Sequence, residues 1–193
     1  MRKIAILLFL ACSGPACAEA AQSQGLYDAR ADEAVSIFEK YCVVNGGTRE
    51  EAEKLIAGSA IAKPLPTNVV SDLQSGRKGG IAWLIATPHK GQLILAYDPI
   101  GVCEVAVVAA DGGAMHRAFG SMIDHAKYQL EVQVKGGEAQ ISKAHGSEIV
   151  AEPYSFPFLG KTATLTLTTA DKTMPIGFQH TMTSTFTQPA KVK

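Results

Sequence analysis

The first 18 residues have the form of an export signal, and this feature constrains the chain most because it sets the redox environment of the cysteines. Arg2 and Lys3 form a positive start, residues 4–11 are uncharged and apolar, and residues 16–18 are the small set that a leader peptidase requires. The apolar run is far shorter than the ~20 residues that cross a bilayer. We therefore expect the mature protein to begin near Glu19 and to work in a Gram-negative-type periplasm.

A lipoprotein signal is the alternative interpretation of the same segment. Cys12 follows Leu10-Ala11, so it would be the acylated residue and would anchor the protein to a membrane surface. Two features weigh against this interpretation. Phe9 stands where an aliphatic residue is usual, and cleavage at Cys12 would leave Cys17 as an odd third thiol. Anchoring through Cys12 is therefore the second expectation for where the protein works.

Two of the four cysteines, Cys42 and Cys103, lie beyond the leader. An even pair in an oxidising compartment predicts one disulfide between them. The loop that it closes spans 61 positions and would stabilise the fold by roughly 4 kcal/mol through the entropy of the unfolded chain. A nucleophilic cysteine beside His116 or His125 is the other interpretation. The exported setting favours the disulfide.

The charge balance argues against polyanionic partners. Removing the 18 leader residues from 193 leaves 175, which carry 16 Lys+Arg against 18 Asp+Glu, a formal charge of −2. Binders of nucleic acids or anionic membranes need a basic excess to gather phosphates. The longest later apolar run, residues 100–110, is interrupted by Glu104 and is too short to cross a bilayer. We expect no nucleic-acid partner and no transmembrane segment in the mature chain.

Hydrophobic periodicity predicts a single α+β domain over residues 28–187, between a flexible lead-in at 19–27 and a disordered tail at 188–193. Apolar residues at helical spacing run from Ala31 to Cys42. A second helix from Thr48 to about Gly58 would complete an N-terminal helical hairpin, and a third covers 114–126. A short helix is also expected within 67–74. The predicted strands are 81–87, 92–97, 102–109, 128–134, 139–144, 148–151, 163–169 and 178–186.

Consecutive hairpins with few crossover helices predict the arrangement of these elements. We expect the hairpin and one further helix to pack on one face of a mostly antiparallel sheet of about 6–8 strands. Such a sheet either curls around the helices and encloses a pocket, or stays open and flatter. The sequence leaves both forms open.

No pattern in the chain predicts catalysis, a metal site or a cofactor. The histidines are His89, His116, His125, His145 and His180, and no pair has the i, i+4 spacing of helical metal ligands. Ser121 and His125 share a helix face but lack the GxSxG elbow of a hydrolase. The phosphate-loop ending Gly160-Lys161-Thr162 has Ser155 where the full motif needs glycine. We therefore expect no catalytic residue, no metal ligand and no cofactor.

Two aromatic features suggest binding. Residues 153–158 combine Tyr154, Phe156 and Phe158 with two prolines. Proline lacks a ladder donor, so this segment is expected to be a stiff aromatic loop, which either contacts a partner or plugs one end of the core with Phe156 and Phe158. Trp83 is the only tryptophan, and it lies in an apolar strand where it would belong to the core or line a pocket.

Three functions follow from these features, in order of preference. The first is a non-catalytic periplasmic binding or accessory protein that recognises another envelope or secreted protein through the aromatic loop. The second is a binder of a small apolar ligand, in a pocket between helices and sheet lined by Trp83, Phe38 and Phe119. The third is an envelope hydrolase built from scattered His, Asp and Ser residues, including His116 or His125.

Overall fold

The computed structural model describes residues 27–44, 46–172 and 177–188. The predicted leader with Cys12, nearly all of the lead-in and residues 189–193 of the predicted tail lie outside the described residues. Predictions about cleavage, lipidation and the tail therefore stay predictions.

Four α-helices and nine strands make up the described part of the chain. The helices are α1 (Ala29–Phe38), α2 (Arg49–Ile56), α3 (Thr67–Leu73) and α4 (Gly112–Gln129), and a π-helical turn, Glu39–Val43, continues α1. The first strands are β1 (Ala62–Pro64), β2 (Ile81–Ala86), β3 (Gln92–Tyr97) and β4 (Cys103–Val107). They are followed by β5 (Lys135–Gly136), β6 (Gln140–Ala144), β7 (Ser147–Phe158), β8 (Lys161–Ala170) and β9 (His180–Thr187).

All nine strands pair antiparallel in one sheet, in the order β1-β2-β3-β4-β9-β8-β7-β5, and β6 also pairs with β7. The predicted α+β class is confirmed. Strands β1 and β5 end the sheet, and no pairing among the described residues joins them. The described strands therefore do not close into a ring.

The two faces of the sheet carry different layers. On the inner face, α1 and α4 cover the core, and Phe38 of α1 meets Phe119 of α4 with ring centroids 6.0 Å apart. On the outer face lies the short helix α3, whose Val70 is buried. The sequence placed every helix on one face, so α3 on the opposite face is a difference. Within the described ranges, no helix is long and apolar enough to span a membrane.

The predicted Cys42–Cys103 disulfide is confirmed, with Cα atoms 5.5 Å apart. It joins the π-helical turn to the first residue of β4. The π-helical turn leaves carbonyls free of the usual helical bonds, and hydroxyls from the sheet satisfy them. Ser184 of β9 donates to the Cys42 carbonyl at 2.9 Å, and the Tyr97 hydroxyl donates to the Tyr41 carbonyl. Because a buried unpaired carbonyl is costly, these bonds fix how the turn sits on the sheet.

Asp28 links the beginnings of the two inner-face helices. Its side chain caps α1 by accepting from the Arg30 backbone N–H at 3.0 Å, and its other oxygen accepts from the Asp111 N–H at 2.9 Å, where α4 begins. The Arg30 guanidinium also donates to both carboxylate oxygens. The side-chain hydrogen bond from Arg30, aided by the backbone donors and opposed by burial, lowers the pKa of Asp28 to about 2.

We expect Asp28→Asn to lower the free energy of unfolding by about 1–2 kcal/mol at pH 7. Asparagine still caps the helix, so the variant removes mainly the charge. The folded-state pKa of Asp28 is depressed, so its stabilisation is complete above about pH 4 and is lost as pH falls towards 2. Urea unfolding at pH 7, 4 and 2 should show the two proteins converging at the acid end. An equal difference at all three pH values would contradict this assignment.

Residues 128–134 were expected to form a strand, and this prediction is wrong. Helix α4 continues to Gln129, and the Leu130 N–H still bonds to the Ala126 carbonyl at 3.0 Å. Glu131 then takes a left-handed conformation with φ 51°. Helices usually make this turn at glycine or asparagine. Because glutamate is unusual at this position, the sequence did not indicate where the helix ends. The alternation of Leu130, Val132 and Val134 suggested a strand instead.

Candidate functional site

The predicted aromatic loop is instead part of a strand. Tyr154, Phe156 and Phe158 occur at every second position of β7, and all three turn towards the inner face. Phe156 is 2% exposed, Tyr154 lies 5.9 Å from Phe119 between ring centroids, and Phe158 lies 6.0 Å from Phe186. These three rings build the core, and the expected surface loop is wrong.

The two prolines of this segment are tolerated because of where their missing N–H groups fall. The Pro153 carbonyl accepts from the Gly137 N–H at 2.8 Å, on the β5 side of the strand. In an antiparallel ladder, the N–H and C=O of one residue point to the same neighbour. The missing donors of Pro153 and Pro157 therefore face the two-residue strand β5 at the sheet edge. The full-length pairing with β8 loses no bond.

The residues expected to line an inner-face pocket are packed in the core. Trp83 is 9% exposed on the inner face of β2 and packs edge-on against Tyr97, with centroids 6.5 Å apart. Phe38 and Phe119, the other expected lining residues, are 0% and 1% exposed. All three belong to one continuous buried cluster.

A cavity of about 460 Å³ lies on the opposite side, between α3 and the outer face of β3 and β4. Its apolar wall is formed by Val69 and Leu73 of α3, Ile94 and Ala96 of β3, Ala106 of β4, and Phe178 before β9. Its polar groups are Asp72, Gln74, Arg77, Asp98 and Glu104. Small-molecule sites in proteins fall at roughly 300–1,000 Å³ and combine an apolar lining with a few convergent polar groups. This cavity has that size and that composition.

Glu104 is the unusual group of the cavity. It lies in the middle of β4, flanked on the outer face by Ala96 of β3 and Thr183 of β9. Within the described part of the chain its carboxyl makes no hydrogen bond and no ion pair. Burial first, and repulsion from Asp98 second, raise the pKa of Glu104, against the attraction of Arg77. A carboxyl so placed favours a ligand that supplies the missing hydrogen bonds or charge.

Asp98 and Arg77 form the polar rim. One Asp98 oxygen accepts from the Ile100 and Val102 N–H groups at 2.9 and 3.1 Å, which shapes the β3–β4 turn. The other lies 3.2 Å from Nη1 of Arg77. The Asp98 side chain is only 7% exposed, whereas that of Arg77 is 51% exposed. Asp98 is therefore held by the turn and the ion pair, whereas the Glu104 oxygens have no partner among the described residues.

Gln74 fixes the helix that roofs the cavity. At the end of α3 its Nε2 donates to the Tyr97 carbonyl at 3.0 Å, and the residue is 6% exposed. A Cβ on Gly80 would collide with this side-chain amide. The glycine thus lets the loop after α3 pass close to Gln74, which holds α3 against β3.

The sequence contained one signal for this site. Glu104 interrupts the apolar run from Ile100 to Ala110, and a lone charge in a buried strand marks either a paired group or a binding site. Sequence reasoning used it only to exclude a membrane span.

One group of side chains partly matches the catalytic residues that the hydrolase alternative requires. His116 of α4 lies 2.8 Å from the Glu152 carboxylate through Nδ1, and its Nε2 lies 3.5 Å from the Thr169 hydroxyl. A carboxylate, an imidazole and a hydroxyl in this order resemble a catalytic triad. Thr169 is only 8% exposed, however, and its distance to His116 is at the limit of a hydrogen bond. The contacts hold α4 against β7 and β8, and the hydrolase reading stays a prediction.

The other histidines are dispersed. His125 pairs with Glu39 at 3.8 Å, and His89 with Glu33 at 2.7 Å. His180 is buried, and its Nε2 lies 3.0 Å from the Ala110 carbonyl. Burial lowers the pKa of His180 and keeps its ring neutral at pH 7. Among the residues that the structure describes, no three His, Cys, Asp or Glu side chains are grouped so that they could hold a metal ion.

Comparison with known proteins adds no relative. No family model matches the chain, no curated protein matches it, and no solved structure matches it. The geometry of the outer-face cavity is therefore the observation from which function is argued.

Proposed function

We propose that this protein is an exported binding protein that holds a small amphiphilic molecule in the cavity between α3 and the outer face of the sheet. The observation that carries this proposal is that Glu104 has no partner among the described residues, in a cavity of about 460 Å³ that combines apolar walls with a few polar groups. A chain selected for stability alone would place an apolar residue at this position, because even a half-buried carboxylate without a partner opposes folding.

The proposal keeps the expected compartment. The leader pattern of residues 1–18 and the Cys42–Cys103 disulfide both support a periplasmic protein. Anchoring through Cys12 is the alternative within this proposal, and it would present the same cavity from a membrane surface. Recognition of another envelope protein loses its main support, since Tyr154 and Phe156 face the core rather than solvent.

The cavity is tested with the neutral fluorophore N-phenyl-1-naphthylamine, whose emission rises in apolar surroundings. We expect saturable binding that Ala96→Phe weakens by about tenfold or more, because the new ring occupies the apolar half of the cavity.

Ala86→Phe is the matched control. Ala86 is an exposed outer-face residue of β2 and does not line the cavity. Circular dichroism should show both variants folded, and Ala86→Phe should bind like the parent protein. Equal binding by all three proteins would place the fluorophore elsewhere and overturn the proposal.

A further inference from the structure

We infer that the natural ligand of the outer-face cavity carries an ammonium group on an apolar body, and that Glu104 binds that group. This inference rests on the proposed function and adds the chemical class of the ligand. It is argued from the charges around the cavity, from what already neutralises them, and from the remaining lining.

The charges of the described lining favour a cation. Three carboxyl groups, those of Asp72, Asp98 and Glu104, face one cationic side chain, Arg77. Arg77 is already paired with Asp98 at 3.2 Å. An anionic ligand would have to displace that pair and would meet the repulsion of Glu104. A cation meets net negative charge and a carboxyl without a partner, so charge complementarity selects it.

The cation is an organic ammonium rather than a bare metal ion. Within the described ranges no group of three metal-ligating side chains occurs, and hard cations require several oxygen ligands. Apolar residues instead stand beside Glu104 on the outer face, among them Ala96 and Ala106. A carboxylate next to an apolar wall suits an ammonium group on a hydrocarbon body. The apolar wall then takes the ligand's hydrocarbon part.

The protonation of Glu104 should make the affinity for an ammonium ligand depend on pH. Burial and the neighbouring Asp98 raise the pKa of Glu104 in the empty cavity. An ammonium group favours the ionised carboxyl, so binding should lower that pKa and release a proton into solution. Affinity should therefore fall as pH falls through the raised pKa of Glu104, and it should do so only for the cationic ligand.

The test compares three probes of equal chain length, n-octylamine, 1-octanol and octanoate, by displacement of N-phenyl-1-naphthylamine at pH 7.5. We expect n-octylamine to bind at least about tenfold more tightly than 1-octanol, since a charge-assisted hydrogen bond that the ammonium donates to the half-buried carboxylate contributes that much. Octanoate should bind most weakly. Glu104→Gln should remove the preference for the amine and leave 1-octanol unchanged.

Glu148→Gln is the matched control, because Glu148 is an exposed residue of β7 that does not line the cavity. It should keep the amine preference. A second measurement separates binding from folding: Glu104→Gln should raise the melting temperature at pH 7.5, since it removes a half-buried charge that has no partner among the described residues. A lower melting temperature would show that Glu104 has a structural role and would overturn the inference.

The failures of the two proposals are distinguishable. If the fluorophore and all three probes bind without regard to head group, the cavity is a binding site and the ammonium inference is wrong. If octanoate binds best, the cavity accepts anions and the inference is likewise wrong. If neither the fluorophore nor any probe binds at the cavity, the proposed function fails as well.

Discussion

Replacing Cys42 and Cys103 together by alanine should lower the free energy of unfolding by about 4 kcal/mol. The disulfide closes a loop of 61 positions between the π-helical turn and β4, and both residues are 0% exposed. In the chain-entropy treatment, opening a loop of that length frees many unfolded conformations. Total stabilities of domains are about 5–15 kcal/mol, so the variant would be marginally folded.

Urea unfolding of the oxidised protein, the reduced protein and the double alanine variant measures this effect. Dithiothreitol should weaken the parent protein to about the level of the variant and leave the variant unchanged. The hydrogen bonds that Ser184 and Tyr97 donate to the π-helical turn remain in all three proteins. The reduced protein and the variant should therefore still be folded in water without urea. A loss below about 1 kcal/mol would show that these contacts, rather than the loop, hold the turn.

The disulfide was predictable from the sequence because it depends on composition and compartment rather than on geometry. The regular strands were predictable for a similar reason. Gln92–Tyr97 was assigned with its observed bounds, since its alternation and flanking turns are local features. The Tyr154-Phe156-Phe158 alternation carried the same period-two signal. We nevertheless predicted a loop, because proline is rare in central strands. That rule does not apply here, because the missing N–H of each proline faces a short edge strand.

The cavity was not predictable in the same way. Its roof, α3, is a helix of seven residues whose placement depends on Gln74 reaching the Tyr97 carbonyl across 23 positions of sequence. Its floor depends on the register that sets Glu104 beside Ala96 and Thr183. Neither relation leaves a periodic trace in the chain. The isolated charge of Glu104 in an apolar strand indicated where the site lies in the sequence. Only the packing of α3 on the outer face shows that a cavity forms there.

The second large effect is expected for Phe119→Ala, which should lower the free energy of unfolding by about 3–5 kcal/mol. Phe119 is 1% exposed in the middle of α4, and its ring lies 6.0 Å from Phe38 of α1 and 5.9 Å from Tyr154 of β7. Its removal would leave a cavity where α1, α4 and β7 meet. Urea unfolding at constant pH measures the loss.

Tyr128→Ala is the control on the same helix, because Tyr128 is 75% exposed and should change the stability by at most about 0.5 kcal/mol. The pair also separates the two sides of the sheet. The inner core and the outer-face cavity have no residue in common. The folded fraction of Phe119→Ala should therefore bind N-phenyl-1-naphthylamine in the outer-face cavity with unchanged affinity. If Phe119→Ala instead abolished binding while the protein stayed folded, the apolar ligand would lie between helices and sheet. That result would favour the inner-face pocket that the sequence suggested.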